Sequence, residues 1–331
     1  MKKCVFIIPY FGKFPNYFEL FLKSCKYNCS FNWLFITDCE YNGIIPENVS
    51  FIRIEFNELK EKIQEKFDFD ICLPTPYKLC DYKPAYGYIF EDFIKEYQYW
   101  GHCDIDTIMG DLSKVLTDNF LQQYEKIFCL GHMVIYKNDY ENNRIFMNKI
   151  NGQSWYKETF KTKKIKIFDE TYNNSKNINE IFLFFNKKVF QEDLSVNFKV
   201  LPTKFVKTTY NYKTKKFDND YTKALYIWEN GHIYRYYIQN KQLKKEEFLY
   251  IHLQERKMRF NKKILNENHF KIVPNKFGIV KFDEINIKNY KKISKRAFNV
   301  HFIQNKMKWQ IKKYKRIMNN LKEKKNEIKN T

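Results

Sequence analysis

Asp104 and Asp106 stand one residue apart in the stretch Tyr99-Trp100-Gly101-His102-Cys103-Asp104-Ile105-Asp106, which leaves through Gly110-Asp111-Leu112. At the end of a strand, two carboxylates so spaced face the same way, because side chains alternate with period two. They repel each other unless a cation lies between them. Hard oxygen ligands favour Mg²⁺ or Mn²⁺, with positions left open for the phosphates of a substrate. The pattern points to a metal-bound diphosphate, the donor chemistry of a sugar-nucleotide transferase. Solvated turn acids show the same spacing, so the pair needs company.

Four other clusters could supply it. Lys78-Leu79-Cys80-Asp81-Tyr82-Lys83-Pro84 places two cations and an acid before an expected helix, where phosphate oxygens could meet charge and backbone N–H groups; a solvated turn is the alternative. Gly131-His132 follows the apolar run Ile127 to Leu130, where a lone histidine at a strand end is more often a structural residue than a ligand. Phe168-Asp169-Glu170, after an expected strand Ile165 to Ile167, offers adjacent carboxylates, one of which could act as a general base. Tyr250-Ile251-His252 leads into Gln254, Arg256 and Lys257. Imidazole can complete the coordination of a Mn²⁺ held by carboxylates, and Arg or Lys can neutralise a departing diphosphate.

The elements that must position these groups alternate along the first 110 residues. Val5 to Tyr10, Asn32 to Thr37 and Val49 to Phe56 read as strands. Pro15 opens a helix carrying Tyr17, Phe18, Phe21, Leu22 and Cys25 at helical spacing, and Asn57 is placed to cap a second. Tyr82 to Tyr97 reads as a long amphipathic helix delivering the chain to the Asp104 strand. This order predicts an α/β fold with a doubly wound, mainly parallel central sheet and ligands at the carboxyl ends of its strands. Tyr172 to Asn179 reads as a polar loop, and residues 217 to 252 as short strands with a turn at Glu229-Asn230-Gly231.

Composition narrows the partners. All eight cysteines precede residue 130 without a C-x-x-C pair, as expected of buried thiols in a reducing cytoplasm. The opening Met1 to Pro9 is too short in its apolar run for a signal peptide, and no segment is apolar for long enough to span a membrane, so a soluble protein is expected. Of the net charge of +21, the segment from Lys288 onward carries +13, with fifteen Lys or Arg against two Glu. From Asn299, Ile303, Met307, Ile311, Tyr314, Met318 and Leu321 fall at spacings of three and four among these cations, a basic amphipathic helix suited to an anionic membrane surface. Charge and aromatics also suit a nucleic-acid-binding protein. However, the cations gather in the tail and no nucleic-acid module is recognisable, so no nucleic-acid partner is expected.

Taken in order, the motifs resemble a family of bacterial GT-A-type glycosyltransferases from capsule and surface-polysaccharide gene clusters. The resemblance rests on Ile8-Pro9-Tyr10-Phe11-Gly12-Lys13-Phe14-Pro15, Asn32 to Asp38, Lys78-x-x-Asp81-x-Lys83-Pro84, Trp100 to Asp106, Gly110-Asp111-Leu112, Gly131-His132 and His252-Leu253-Gln254-x-Arg256-Lys257-Met258. It covers about residues 4 to 258 and leaves the basic tail outside it, so a GT-A-like catalytic domain is expected over residues 1–285 and a basic helical tail over 286–331. It also implies a metal-dependent hexosyl transfer from a nucleotide-diphosphate sugar, UDP-linked by expectation, to a glycan or lipid-linked acceptor at the inner face of the cytoplasmic membrane. By position, Asp104, Asp106 and His252 would hold Mn²⁺ or Mg²⁺, with Asp104 also facing the donor. Pro9, Tyr10 and Asp38 would line the nucleoside pocket, and Lys83, Arg256 and Lys257 would contact phosphate. If the anomeric configuration is inverted, Asp169 or Glu170 would be the base. An inactive relative that only binds sugar nucleotide is the alternative, against which Asp104, Asp106 and His252 all speak.

Overall fold

The computed structural model describes residues 2–294 apart from 173, 174, 202, 255 and 283, together with 303, 304, 306–311, 313, 314, 317 and 318. Its first half is an α/β layer structure. Strands β1 (Lys2–Pro9), β2 (Phe31–Thr37), β3 (Val49–Arg53) and β4 (Tyr97–Cys103) run parallel. After β4 come a short β5 (Thr107–Met109), then β6 (Lys126–Ile127), β7 (Met133–Lys137) and β8 (Val189–Phe190). The main sheet has the order β3-β2-β1-β4-β7-β6-β8, with β7 antiparallel to both of its neighbours.

The period-two pattern of β1 and β2 explains why the sheet is covered on both faces. Val5, Ile7, Leu34 and Ile36 join one core with α2 (Phe56–Gln64), α3 (Tyr86–Ile89), α4 (Glu91–Ile94), α6 (Trp155–Phe160) and α7 (Ile178–Phe184). Cys4, Phe6, Ile8, Trp33 and Phe35 face the other way, onto α1 (Phe18–Lys26) and, near the sheet's far end, α5 (Asp118–Leu121). The doubly wound sheet expected from the sequence is the one observed.

The second half builds two further five-stranded sheets. Strands β9 (Ser195–Phe198), β10 (Lys207–Asn211) and β11 (Lys216–Asp220) join β5 and the later strand β15 (Tyr250–His252) in the order β11-β10-β9-β15-β5. Strands β12 (Ala224–Glu229), β13 (His232–Gln239) and β14 (Gln242–Phe248) are followed by β15 (Tyr250–His252), β16 (His269–Val273) and β17 (Lys276–Ile279). All of these but β15 form an antiparallel sheet, whose first hairpin turns at Asn230 (φ 48°) and Gly231 (φ 88°), as its sequence anticipates. Helix α1 lies between the layers, with Phe18, Phe21 and Leu22 against the main sheet and Tyr17 and Leu20 against the second half. Helix α8 (Ile287–Ile293) packs Tyr290 and Ile293 on Leu225 and Ile227, so the basic tail begins on a docked helix. Of the expected tail helix, residues 299–302, 305, 312, 315, 316 and 319 onward lie outside the described residues.

Several local expectations give way. In place of one helix from Tyr82 to Tyr97, a 3₁₀ stretch (Pro76–Ala85) is followed by the four-residue helices α3 and α4, and Tyr97 already opens β4. β3 stops at Arg53, and Asn57 lies inside α2, whose N-cap position is Glu55. β1 ends at Pro9 and β6 at Ile127, short of the apolar runs that contain them. Ile165 to Ile167 forms no strand; instead the N–H groups of Lys166 and Phe168 donate to the buried carboxylate of Asp81 at 2.9 and 3.0 Å. The polar loop ends early, since Asn177 caps α7 by accepting from the N–H groups of Asn179 and Glu180. The cysteines are all free, and five are buried, but Cys29 is exposed.

Candidate active site

Two strand ends and one strand pairing assemble the centre. β4 ends at Cys103, and the next turn presents Asp104, whose N–H donates to the His132 carbonyl at 3.0 Å. β5 then pairs antiparallel with β15 in a register that sets His252 opposite Thr107, one residue from Asp106. The Leu253 N–H donates to the Asp106 carbonyl at 2.8 Å and locks that register. A three-residue strand is thereby enough to bring together side chains about 150 positions apart in the chain. His252 Nε2 lies 3.4 Å from Asp106 Oδ1 and 4.0 Å from Asp104 Oδ2. Asp104, Asp106 and His252 each offer a ligand atom, all within 4.8 Å of one another. Burial alone would lower the His252 imidazole, but Asp106 and Asp104 outweigh it and raise its pKa.

These residues open on a cavity of about 1480 Å³, lined also by Pro9, Tyr10, Lys83, Asp169, Glu170, Arg256 and Lys257. It lies at the carboxyl ends of β1 and β4, where an open parallel sheet places its ligands. Asp38 is not among the described lining residues. Its Oδ1 accepts from the Gly12 N–H at 3.0 Å and shapes the loop behind Tyr10, where Gly12 has a left-handed φ of 108°.

Lys83, expected at the phosphates, is engaged by acceptors of its own chain at the cavity wall. Its ammonium reaches Asp104 Oδ1 at 2.9 Å, Asp169 Oδ2 at 3.2 Å and the Gly131 carbonyl at 2.8 Å, which uses all three of its donors. Burial opposes that charge, yet Asp104 and Asp169 hold the Lys83 pKa well above its usual value. Burial also pushes the Asp169 carboxyl up to about 7; Lys83 opposes the rise, and Glu170 and Asp104 add to it. Glu170 accepts from the Gly131 N–H at 2.9 Å. A side chain at Gly131 would begin 2.5 Å from Asp169 Oδ2, so glycine is required for this close approach.

Two further cations are structural. Lys78 and Asp81 form a fully buried ion pair at 2.6 Å, with Lys78 also donating to the carbonyls of Thr159 and Lys164. This pair is a brace beneath the site, not the phosphate cradle its spacing suggested. Arg256 is buried too, and donates to the carbonyls of Lys199, Leu201 and Lys204 while lying over the Phe205 ring. Burial pushes it down to about 10, leaving it cationic at neutral pH. Its donors hold the carbonyls of Lys199, Leu201 and Lys204 at the cavity wall.

Sequence reasoning assigned no role to Gly131, Asn197 or Tyr250. Asn197 Oδ1 lies 3.2 Å from His252 Nδ1, and the Tyr250 hydroxyl 2.8 Å from His132 Nδ1, with the two histidine rings 4.6 Å apart. The available signal was a buried polar residue inside the otherwise apolar run Val196 to Phe198.

The family model described as a family of unknown function, DUF6625, matches residues 6–281. No curated protein matches the chain. Among solved structures, the chain is similar to galactosyltransferase LgtC in complex with donor and acceptor sugar analogues, at 13% identity and a TM-score of 0.31, over 59% of this chain and 75% of that one. An active-site mutant of LgtC gives 13% identity and a TM-score of 0.32, over 59% and 74%. The glycosyltransferase GlyE of Streptococcus pneumoniae TIGR4 gives 12% and 0.26, over 57% of this chain and 45% of that one. At such low similarity the chemistry must be read from this chain's own residues. By its family match, which spans the main sheet, the site and the strands behind it, the chain belongs to the family of unknown function DUF6625.

Proposed function

We propose that the protein is a metal-dependent glycosyltransferase that moves a hexose from a nucleotide-diphosphate donor, UDP-linked, to a glycan or lipid-linked acceptor in bacterial surface-polysaccharide synthesis. The observation that carries this reading is the meeting of Asp104, Asp106 and His252 within 4.8 Å at the wall of a cavity large enough for a nucleotide sugar. The donor set suits the ion. Two carboxylates and one imidazole, all partly exposed, match Mn²⁺ or Mg²⁺ and leave room for phosphate oxygens. When bound, such an ion neutralises charge on the diphosphate leaving group.

The chain's own residues supply the rest. Pro9 and Tyr10 wall the nucleoside end, and Asp38 fixes the loop that carries Tyr10. Lys257 meets phosphate. Lys83 holds Asp104 toward the donor and Asp169 toward the acceptor side. In an inverting reaction Asp169, its carboxyl raised by burial to about 7, is matched to receive the acceptor hydroxyl's proton at neutral pH, and Glu170 stands beside it. We read residues 1–285 as the catalytic domain and 286–331 as a basic attachment to the inner face of the cytoplasmic membrane. Of its apolar positions, Ile303, Met307, Ile311, Tyr314 and Met318 are exposed. No helix among the described residues is long and apolar enough to cross a membrane.

A panel of nucleotide sugars, screened with and without Mn²⁺ for thermal stabilisation and for donor hydrolysis, tests the reading. One donor should stabilise and be cleaved only with metal, and Asp106→Ala should lose both effects. If no nucleotide sugar binds, or Asp106→Ala behaves as wild type, the reading fails.

A further inference from the structure

The hydrogen bonds behind His252 determine which of its ring nitrogens is free. β9 runs parallel to β15, pairing Ser195 with Tyr250 and Val196 with Ile251, so the next step along both strands sets Asn197 beside His252. Three nitrogens converge on the Oδ1 atom of Asn197: the Phe198 backbone N at 2.9 Å, Gln254 Nε2 at 2.8 Å and His252 Nδ1 at 3.2 Å. A backbone N–H can only donate, so the atom it faces must be the amide oxygen and not the amide nitrogen. An oxygen so placed requires His252 Nδ1 to carry its hydrogen. With its hydrogen on Nδ1 the neutral imidazole turns its Nε2 lone pair toward Asp106 Oδ1 at 3.4 Å, a pairing that needs a proton or a cation between the two.

The backbone around this contact is built for it. Gln254 adopts a left-handed φ of 56°, unusual for a residue with a side chain, and in that conformation its amide reaches Asn197. The arrangement is closed from the rear, since Asn197 is only 5% exposed.

We propose that Asn197 is the positioning residue of the metal centre: it fixes His252 in the Nδ1–H tautomer and aims Nε2 at the space shared with Asp104 and Asp106. This rests on the metal reading above. Outer partners of metal-bound histidines typically change metal affinity by about 10–100-fold when removed.

Mn²⁺ alone is the probe, titrated against the full chain with free Mn²⁺ followed by electron paramagnetic resonance. Asn197→Leu, which keeps the volume and loses the acceptor, should weaken Mn²⁺ binding by roughly 10–100-fold. Asn197→Asp, which keeps the acceptor, should retain wild-type affinity. Equal affinity in Asn197→Leu and wild type overturns the proposal, as does an Asn197→Asp that binds as weakly as Asn197→Leu. Long-range ¹H–¹⁵N spectra of the metal-free wild type at alkaline pH provide a readout that needs no variant to fold, with the His252 ring assigned by its loss in His252→Gln. The Nδ1–H tautomer is expected, and an Nε2–H tautomer overturns the proposal. A wild-type chain that shows the Nδ1–H tautomer yet takes up no Mn²⁺ refutes the metal reading and leaves Asn197 orienting a histidine with no metal to bind.

Discussion

Replacing Lys83 with Met would test how the two sides of the cavity are joined. The substitution keeps an unbranched stem of similar length and deletes the ammonium that lies between Asp104 at 2.9 Å and Asp169 at 3.2 Å. The two arms differ in weight. The Asp104 side chain is 35% exposed, and solvent screens much of its share, whereas Asp169 at 7% has little access to water. Breaking a buried pair by removing one partner costs about 3–5 kcal/mol, and with only one arm buried the lower end, ~3 kcal/mol, applies. The cost must also depend on pH. Asp169 already titrates at about 7 with Lys83 holding it down, so without Lys83 its carboxyl will stay protonated to higher pH. Below 7 it is neutral in both proteins and misses the lysine little; above 7 the wild type gains an ion pair that the variant cannot form. Urea unfolding in metal-free buffer at about pH 5.5 and about pH 8.5 should therefore show a small loss at the first and the larger loss at the second. Adding Asp169→Asn should recover part of the loss at the higher pH, because the unpaired carboxylate is gone. Equal stability of Lys83→Met and wild type at the higher pH, or a loss independent of pH, would refute the account of Lys83 as the tie between the candidate metal ligand Asp104 and the candidate base Asp169.

Other residues give sharper single readouts. Asp169→Asn should lower turnover by about 10²–10⁴-fold while leaving donor affinity near wild type, and unchanged turnover would remove Asp169 from the reaction. Its carboxyl is raised from 3.8 to about 7, so the native state holds that proton more tightly than the unfolded chain. Wild-type stability relative to Asp169→Asn should thus fall as pH rises between those values and level off above the second. Gly131→Ala places a methyl group 2.5 Å from Asp169 Oδ2 and should shift the carboxyl's titration, followed by NMR. Gly87→Ala meets the buried Trp100 ring at 2.3 Å and should cost about 1–3 kcal/mol in denaturant unfolding. Arg256→Ala strands the carbonyls of Lys199, Leu201 and Lys204, at about 1–3 kcal/mol for buried groups left unpaired. Limited proteolysis should then cut the 199–204 loop faster than in wild type.

The residues that were legible in the sequence and those that were not differ in one physical respect. β1 and β2 announce themselves because both faces of a central parallel strand are buried, which leaves an unbroken apolar run that local reading detects. Asp104, Asp106 and His252 are each of a type that also suits a solvated surface, and it is their order along the chain with the other motifs that made them legible. What the sequence could not disclose is pairing at a distance. β5 has three residues and no pattern of its own; it exists because β15 offers it a register. Ile165 to Ile167 looks like a strand and is not one, because Asp81, some 85 positions earlier, takes its N–H groups. The same limit reversed the roles of the cations. Lys78, Lys83 and Arg256 look alike as donors for phosphate, and only the fold reveals that each already has acceptors from its own chain. A cation's type says what it can bind, whereas its function depends on which acceptors reach it first. In this cavity the protein's own carboxylates and carbonyls reach those three first, so the proposed diphosphate would have to be received at the face where Asp104, Asp106 and His252 meet.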